Sequence, residues 1–164
     1  LELVERVARV NYLGGVWTTR ALLPGLRQGA VGGRAHVVNV VSIAGAVSFA
    51  PSGAYIASKH AQLAFSRSLR VSLQGSGIDV HTILPGYVQT EGFPQRSVLQ
   101  SPFFRRMVIT PELVAERIAG GVESGKREFF VPRWYRLFAL VQAVLPGITA
   151  RLVARSGYKR PGSS

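Results

Sequence analysis

The sequence predicts an α/β protein built on a parallel sheet with flanking helices, and three observations carry this. The stretch AHVVNVVSI, residues 35–43, is a β-branched run whose apolar residues are too continuous for a half-exposed strand. IDVHTILPG, residues 78–86, is a second strand, ended by Pro85-Gly86. Between them Ile56, Leu63, Phe65, Leu69 and Leu73 recur at helical spacing. A helix-length crossover between two strands makes them parallel, with a right-handed connection.

The remaining elements follow in chain order. The opening LELVERVARVNYLGGVWTTRALLPGL has apolar Leu3, Val4, Val7, Ala8 and Val10 near helical spacing and reads as one long helix as far as Pro24-Gly25, bent at Gly14-Gly15. RQGAVGGR, residues 27–34, reads as a turn-rich loop. The strand after it is expected to be buried on both faces, and QGSGI stops the crossover helix with glycine. From Thr90 to Thr110 the pattern has no period, and a loop of that length in a compact domain often acts as a lid. Thr110-Pro111-Glu112 opens another helix, with threonine as cap, proline in the first turn and an acid near the positive end; it should close near Gly125. EFFVP is a short third strand. Residues 1–133 thus form the body, and residues 134–164 an apolar, arginine-dotted helical extension with a basic tail.

Composition narrows the function. A chain of 164 residues suits one domain, and 47% hydrophobic with 17% charged residues suits a packed one. The net charge of +12 comes from scattered basic residues without a long run, which reads as a solvated basic surface and not as a nucleic-acid interface. With no cysteine, disulfides and thiolate chemistry are excluded. His36, His60 and His81 lack metal-ligand spacing, so no metal is expected. There is no signal-peptide pattern at the start, and Arg136, Pro146 and Arg151 break the best apolar run, which together suggest a cytoplasmic protein. The chain begins with Leu1, so the natural product is expected to start earlier.

Within SGAYIASKH, Tyr55 and Lys59 are four apart and share one side of a helix. An ammonium beside a phenol favours the phenolate and brings it toward the range useful for proton transfer. Taken alone, the same pair could be two polar residues on the wet side of the helix. Two neighbours bear on the choice: Ser42 closes the first strand and PGYVQT closes the second. Ligands of parallel sheets bind beyond the carboxyl ends of the strands, so Ser42, Tyr55 and Thr90 converge on one crevice.

Ser42, Tyr55-Ile56-Ala57-Ser58-Lys59 and Pro85-Gly86-Tyr87-Val88-Gln89-Thr90, with Asn11 in the opening helix, resemble in order and spacing the short-chain dehydrogenase/reductase family. The resemblance implies a Rossmann-type fold and an oxidoreductase that passes hydride between NAD or NADP and an alcohol or ketone. It implies that Tyr55 is the general acid/base and that Lys59 holds the ribose hydroxyls and keeps Tyr55 acidic. Ser42 would bond the substrate oxygen, and Asn11 would anchor a water leading from Lys59 to solvent. Pro85, Gly86, Val88 and Thr90 would form the nicotinamide side, with Thr90 and the Val88 backbone gripping the carboxamide.

Departures from the family pattern are also visible. Val41 stands where the family often has a second small hydroxyl residue, and neither T-G-x-x-x-G-x-G nor the N-A-G segment occurs. The first strands of the doubly wound fold are therefore expected to be missing. The chain would be the catalytic half of a longer enzyme, binding NAD(P)H poorly by itself, with the choice between the two cofactors set elsewhere. The alternative is a truncated or non-catalytic relative that acts in binding or assembly, which would have no need to keep serine, tyrosine and lysine together. A serine hydrolase is excluded by the lack of a G-x-S-x-G elbow. Phe93, Phe103, Phe104, Met107 and Val108 would line an apolar pocket for a hydrophobic alcohol or ketone, or else pack a lid against the body. Residues 134–155 suit either an interfacial helix on an anionic membrane or a cover over the substrate site or a subunit interface. The family resemblance also implies a homo-oligomer, as dimers or tetramers.

Overall fold

The computed structural model describes residues 1–48, 52–90 and 105–155. Helix α1 (Glu2–Ala8), a π-helical turn (Arg9–Leu13) and α2 (Gly14–Ala30) run on without a break. Strand β1 (Ala35–Val40) leads through a short 3-10 turn (Ile43–Gly45) to α3 (Gly53–Ser72), and β2 (Ile78–Pro85) follows. Then come β3 (Tyr87–Val88), β4 (Val108–Ile109), α4 (Pro111–Glu123), β5 (Glu128–Val131), α5 (Tyr135–Val144) and α6 (Pro146–Arg155).

The main sheet has the order β1-β2-β5, and both pairings are parallel. Its two faces are covered differently. Leu23, Leu26 and Ala30 of α2 pack with Ala35, Val37, Leu73, Ile78 and Val80, while Leu63 of α3 packs with Val41 and Leu84. On the other face α4 brings Val114 against Ile83 and Val131. At the centre Asn39 Nδ2 donates to Ser66 Oγ at 2.9 Å, and Ser66 and Thr82 hydroxyls share a 2.7 Å bond. Ser66 and Thr82 are fully buried, and an orphaned group there would cost about 1–3 kcal/mol, so the set pins α3 over the strands in one register. At the rim Arg67 grips Glu128 through two nitrogens and Arg70 adds a third contact, tying α3 to β5.

Three expectations need correction. The first long helix does not stop at Pro24-Gly25, and the loop expected over residues 27–34 begins only after Ala30. A proline inside a helix costs about 3 kcal/mol. Leu23, Leu26 and Ala30 continue the apolar stripe through it onto the sheet, and burying such side chains returns energy of the same order, about 1.5–3 kcal/mol for each one fully covered. Gly14-Gly15 causes no break either; the irregularity lies just before it, in the π turn that holds Asn11. Lastly, β1 is not buried on both faces. His36, Val38 and Val40 are exposed, because α4 covers β2 and β5 but, among the described residues, no element covers β1 on that side or pairs with its outer edge.

Other expectations hold. α3 runs over the predicted crossover, β5 is the EFFV segment, and Thr110 caps α4 by accepting the Leu113 N–H at 3.3 Å. Gly125, where the predicted α4 was to close, takes a φ of 67° two residues after the observed helix ends.

Candidate active site

The site is assembled at the carboxyl end of the parallel strands. Val41 N–H donates to Ile83 O at 2.8 Å, extending the β1–β2 ladder by one residue before the chain turns away at Ser42. β2 ends at the same side, at Pro85. Ser42 Oγ accepts the Ala44 N–H at 3.1 Å, which fixes the side chain and leaves its O–H proton able to donate to a substrate oxygen. The turn after Ser42 lies hard on α3. A Cβ on Gly45 would meet the Lys59 carbonyl oxygen and Val41 Cγ1, each at 2.8 Å, so only glycine lets the strand end approach the helix at Lys59.

On α3 the predicted pair shares a side. Lys59 Nζ lies 5.8 Å from the centroid of the Tyr55 ring. Tyr55 is partly open to solvent, 36% exposed. Lys59 Nζ donates to Gln62 Oε1 at 2.9 Å. Gln62 was not anticipated from the sequence, although its place one helical turn after Lys59 was the available signal. Asn11 reaches the same region from the π turn. Its Nδ2 donates to Ser58 Oγ at 3.0 Å, and Ser58 Oγ donates to the Tyr55 carbonyl at 2.7 Å. The π turn therefore clamps α3 between Tyr55 and Lys59.

Burial holds the Lys59 ammonium below the ordinary lysine range. Between that lowered value and the ordinary one the folded chain binds fewer protons than the unfolded chain. Stability therefore rises with pH through this window and is lost again as pH falls through the folded-state value. Lys59→Met removes the buried charge and keeps the length of the stem. Its denaturation midpoint at neutral pH is expected to match or exceed that of the parent, and its midpoint should lack the parent's rise toward about pH 10. Urea melts of both proteins at the two pH values check this; a clearly lower midpoint for the variant at neutral pH would show that the Gln62 bond outweighs desolvation.

The PGYVQT segment is held from beneath. Gly86 N–H donates to Val131 O at 2.8 Å, and a Cβ at Gly86 would stand 2.5 Å from Cε2 and Cζ of Tyr135. Tyr135 is 2% exposed, donates its hydroxyl to Met107 O at 3.2 Å, and has its phenol pushed up to about 12 by burial. β3 pairs in parallel with β4, and Gln89 N–H donates to Ile109 O at 2.9 Å, which fixes the backbone at Val88 and delivers Thr90 to an exposed position. Tyr135 was a second residue missed in the sequence, where it read as part of an extension beyond the body.

Of the residues expected to line an apolar pocket or else pack against the body, Met107 is buried with Tyr135 and with Ile43, the residue after Ser42, and Val108 forms β4. Their partners in that expectation, Phe93, Phe103 and Phe104, lie outside the described residues.

The strand ends of the parallel sheet thus gather a serine hydroxyl, a tyrosine–lysine pair and a glycine-bearing loop. Residues 1–98 match the short chain dehydrogenase family, and the chain belongs to that family. Over 146 residues it is 30% identical to estradiol 17-beta-dehydrogenase 11 of Homo sapiens, covering 87% of this chain and 46% of the relative. It is 42% identical over 90 residues to 1-deoxy-11-beta-hydroxypentalenate dehydrogenase of Streptomyces exfoliatus, covering 55% of this chain and 32% of that one. A short chain dehydrogenase from Burkholderia cenocepacia J2315, solved in complex with NADP, superposes with a TM-score of 0.76 at 26% identity over 92% of this chain and 61% of its own. The chain thus spans about half the length of the first of these relatives.

Proposed function

We propose that this chain supplies the catalytic half of an oxidoreductase that interconverts an apolar secondary alcohol and its ketone with NAD or NADP. The observation that carries the reading is the packing of the Ser42 turn onto α3 at Lys59, one helical turn from the partly exposed Tyr55. The donor set suits a nicotinamide nucleotide. Among the described residues Lys59 Nζ donates to Gln62, and an ammonium carries two further N–H donors that would suit a ribose diol, while the Val88 backbone and Thr90 would meet a carboxamide. The bound cofactor would supply or accept the hydride.

The protein's own residues do the rest. Ser42 donates to the substrate oxygen and aligns it, its Oγ being already fixed by the Ala44 N–H. Tyr55 exchanges a proton with that oxygen, so that the charge developing there is neutralised as it forms. Asn11, through Ser58, keeps the α3 backbone in place between Tyr55 and Lys59.

An apolar substrate is supported by two relatives named for estradiol and a pentalenate, both largely hydrocarbon. The test is a substrate panel on the protein expressed from its native coding sequence, followed by nicotinamide absorbance with NAD and with NADP. Steroid- and terpenoid-sized secondary alcohols are expected to exceed glycerol-sized ones by about tenfold or more in kcat/KM. A preference for small polar alcohols would remove the substrate assignment, and no hydride transfer to either nucleotide would remove the reading as a whole.

A further inference from the structure

Helix α5 is tied to the body along one stripe. Tyr135 is buried, Ala139 packs against Ile43, Met107 and Tyr135, and Gln142 Oε1 accepts the Ser48 N–H at 3.0 Å. Positions 135, 139 and 142 share one helical face. The opposite face is open: Leu137, Leu140 and Val144 are 63%, 56% and 66% exposed. Leu145 and Ile148, also exposed, carry apolar side chains past the end of α5 and onto α6. A contiguous apolar surface of this kind marks a partner.

The charge around it has a single sign. After Glu128 the sequence contains no Asp or Glu, yet carries Arg133, Arg136, Arg151, Arg155, Lys159 and Arg160. Arg133, Arg136 and Arg151 are exposed, and none forms an ion pair with a described residue. At the foot of α5, Arg133, Trp134 and Arg136 line an open groove of about 820 Å³ together with Arg117 and Lys126. Glu128, which also lines it, is already held by Arg67 and Arg70. Trp134 stacks on Tyr135 with centroids 4.3 Å apart, at the border between the apolar face and the basic groove. Tryptophan is enriched at that kind of border in membrane-bound proteins.

We infer that the outer face of α5 and α6 lies flat on an anionic phospholipid surface, with the leucine and valine side chains entering the interfacial layer and the arginines meeting lipid phosphates. Charge complementarity selects this occupant. A second copy docking face to face would bring the same acid-free, arginine-bearing segment against itself. An uncharged bilayer would leave the arginines unanswered. No described helix is long and apolar enough to cross a bilayer. The inference goes beyond the oxidoreductase reading and shares no residue with it, so either can fail alone.

The experiment is flotation of the protein, expressed from its native coding sequence, with vesicles of phosphatidylcholine and with vesicles of phosphatidylcholine plus phosphatidylglycerol. Co-flotation is expected with the anionic vesicles only, and it should weaken as salt approaches about 1 M, where charges are screened within about 3 Å. The triple variant Leu137→Ser/Leu140→Ser/Val144→Ser and the double variant Arg133→Gln/Arg136→Gln are each expected to lower binding about tenfold or more. All five positions are exposed, so circular dichroism and thermal midpoints should be unchanged, which separates lost binding from lost folding. Failure to float with anionic vesicles, equal binding to neutral ones, or wild-type flotation by the triple variant would each overturn the inference. So would a dimer that the triple variant converts to a monomer with vesicle binding untouched, which would give the face to a second copy.

Discussion

Tyr55→Phe is expected to lower kcat by about 10²–10⁴-fold, the range that a positioned general acid or base contributes, with little change in KM or in stability. The argument rests on what the substitution leaves in place. The ring keeps its position over Lys59 at 5.8 Å, and the Asn11–Ser58 clamp acts on the Tyr55 backbone and not on its hydroxyl. Tyr55 is 36% exposed and its hydroxyl bonds no described core residue, so its removal should orphan nothing in the core. Steady-state kinetics on apolar alcohols, alongside thermal melts, separate the outcomes. A variant retaining more than about a tenth of the parent kcat would show that another group moves the proton.

Gly86→Ala is expected to give the largest structural effect at the site. Its added methyl would sit 2.5 Å from two ring carbons of Tyr135, well inside van der Waals contact. The ring has little room to retreat, being 2% exposed, stacked on Trp134 and bonded through its hydroxyl to the Met107 carbonyl. Overpacking of this kind costs about 1–3 kcal/mol, which in a chain of this size lowers Tm by about 2–4 °C per kcal/mol. The alternative to moving the ring is to move the loop, breaking the 2.8 Å bond from Gly86 N–H to Val131 O and displacing the backbone that leads to Val88 and Thr90. A rise in the KM for the nicotinamide nucleotide should therefore accompany the loss of stability. Tyr135→Ala, which leaves a cavity, is expected to be destabilising by about 3–5 kcal/mol. The double variant should be less destabilised than the sum of the two by about 0.5–3 kcal/mol, because the clash disappears with the ring. Urea melts of the four proteins measure this coupling, and strict additivity would rule out the steric account.

Much of the site was legible before the structure. The four-residue interval between Tyr55 and Lys59, the hydroxyl at the end of one strand and the Pro-Gly at the end of the next are all short-range or strand-end features. A parallel sheet necessarily gathers its strand ends on one side. Gln62, which takes a hydrogen bond from Lys59, was visible only as a polar residue on a helix. Tyr135 fell in a stretch whose composition suggested an extension, yet its ring occupies the space that Gly86 leaves empty. Asn11 was picked out by its motif, but its target, Ser58, depends on how the π turn meets α3.

The sequence by itself determined the elements whose causes are local: the apolar period of α3, the Thr110 cap of α4, and β2 with its terminating Pro85-Gly86. These depend on dihedral preferences and side-chain spacing within a turn or two of chain. Tertiary structure alone decided that α2 continues through Pro24 and that, among the described residues, β1 keeps one face open and the outer side of α5 is left uncovered. Each of these depends on which distant surface is available to bury an apolar stripe, and the energy of burial comes from the partner surface as much as from the stripe itself. Periodicity shows that a residue seeks cover; only the packed chain shows whether cover is there.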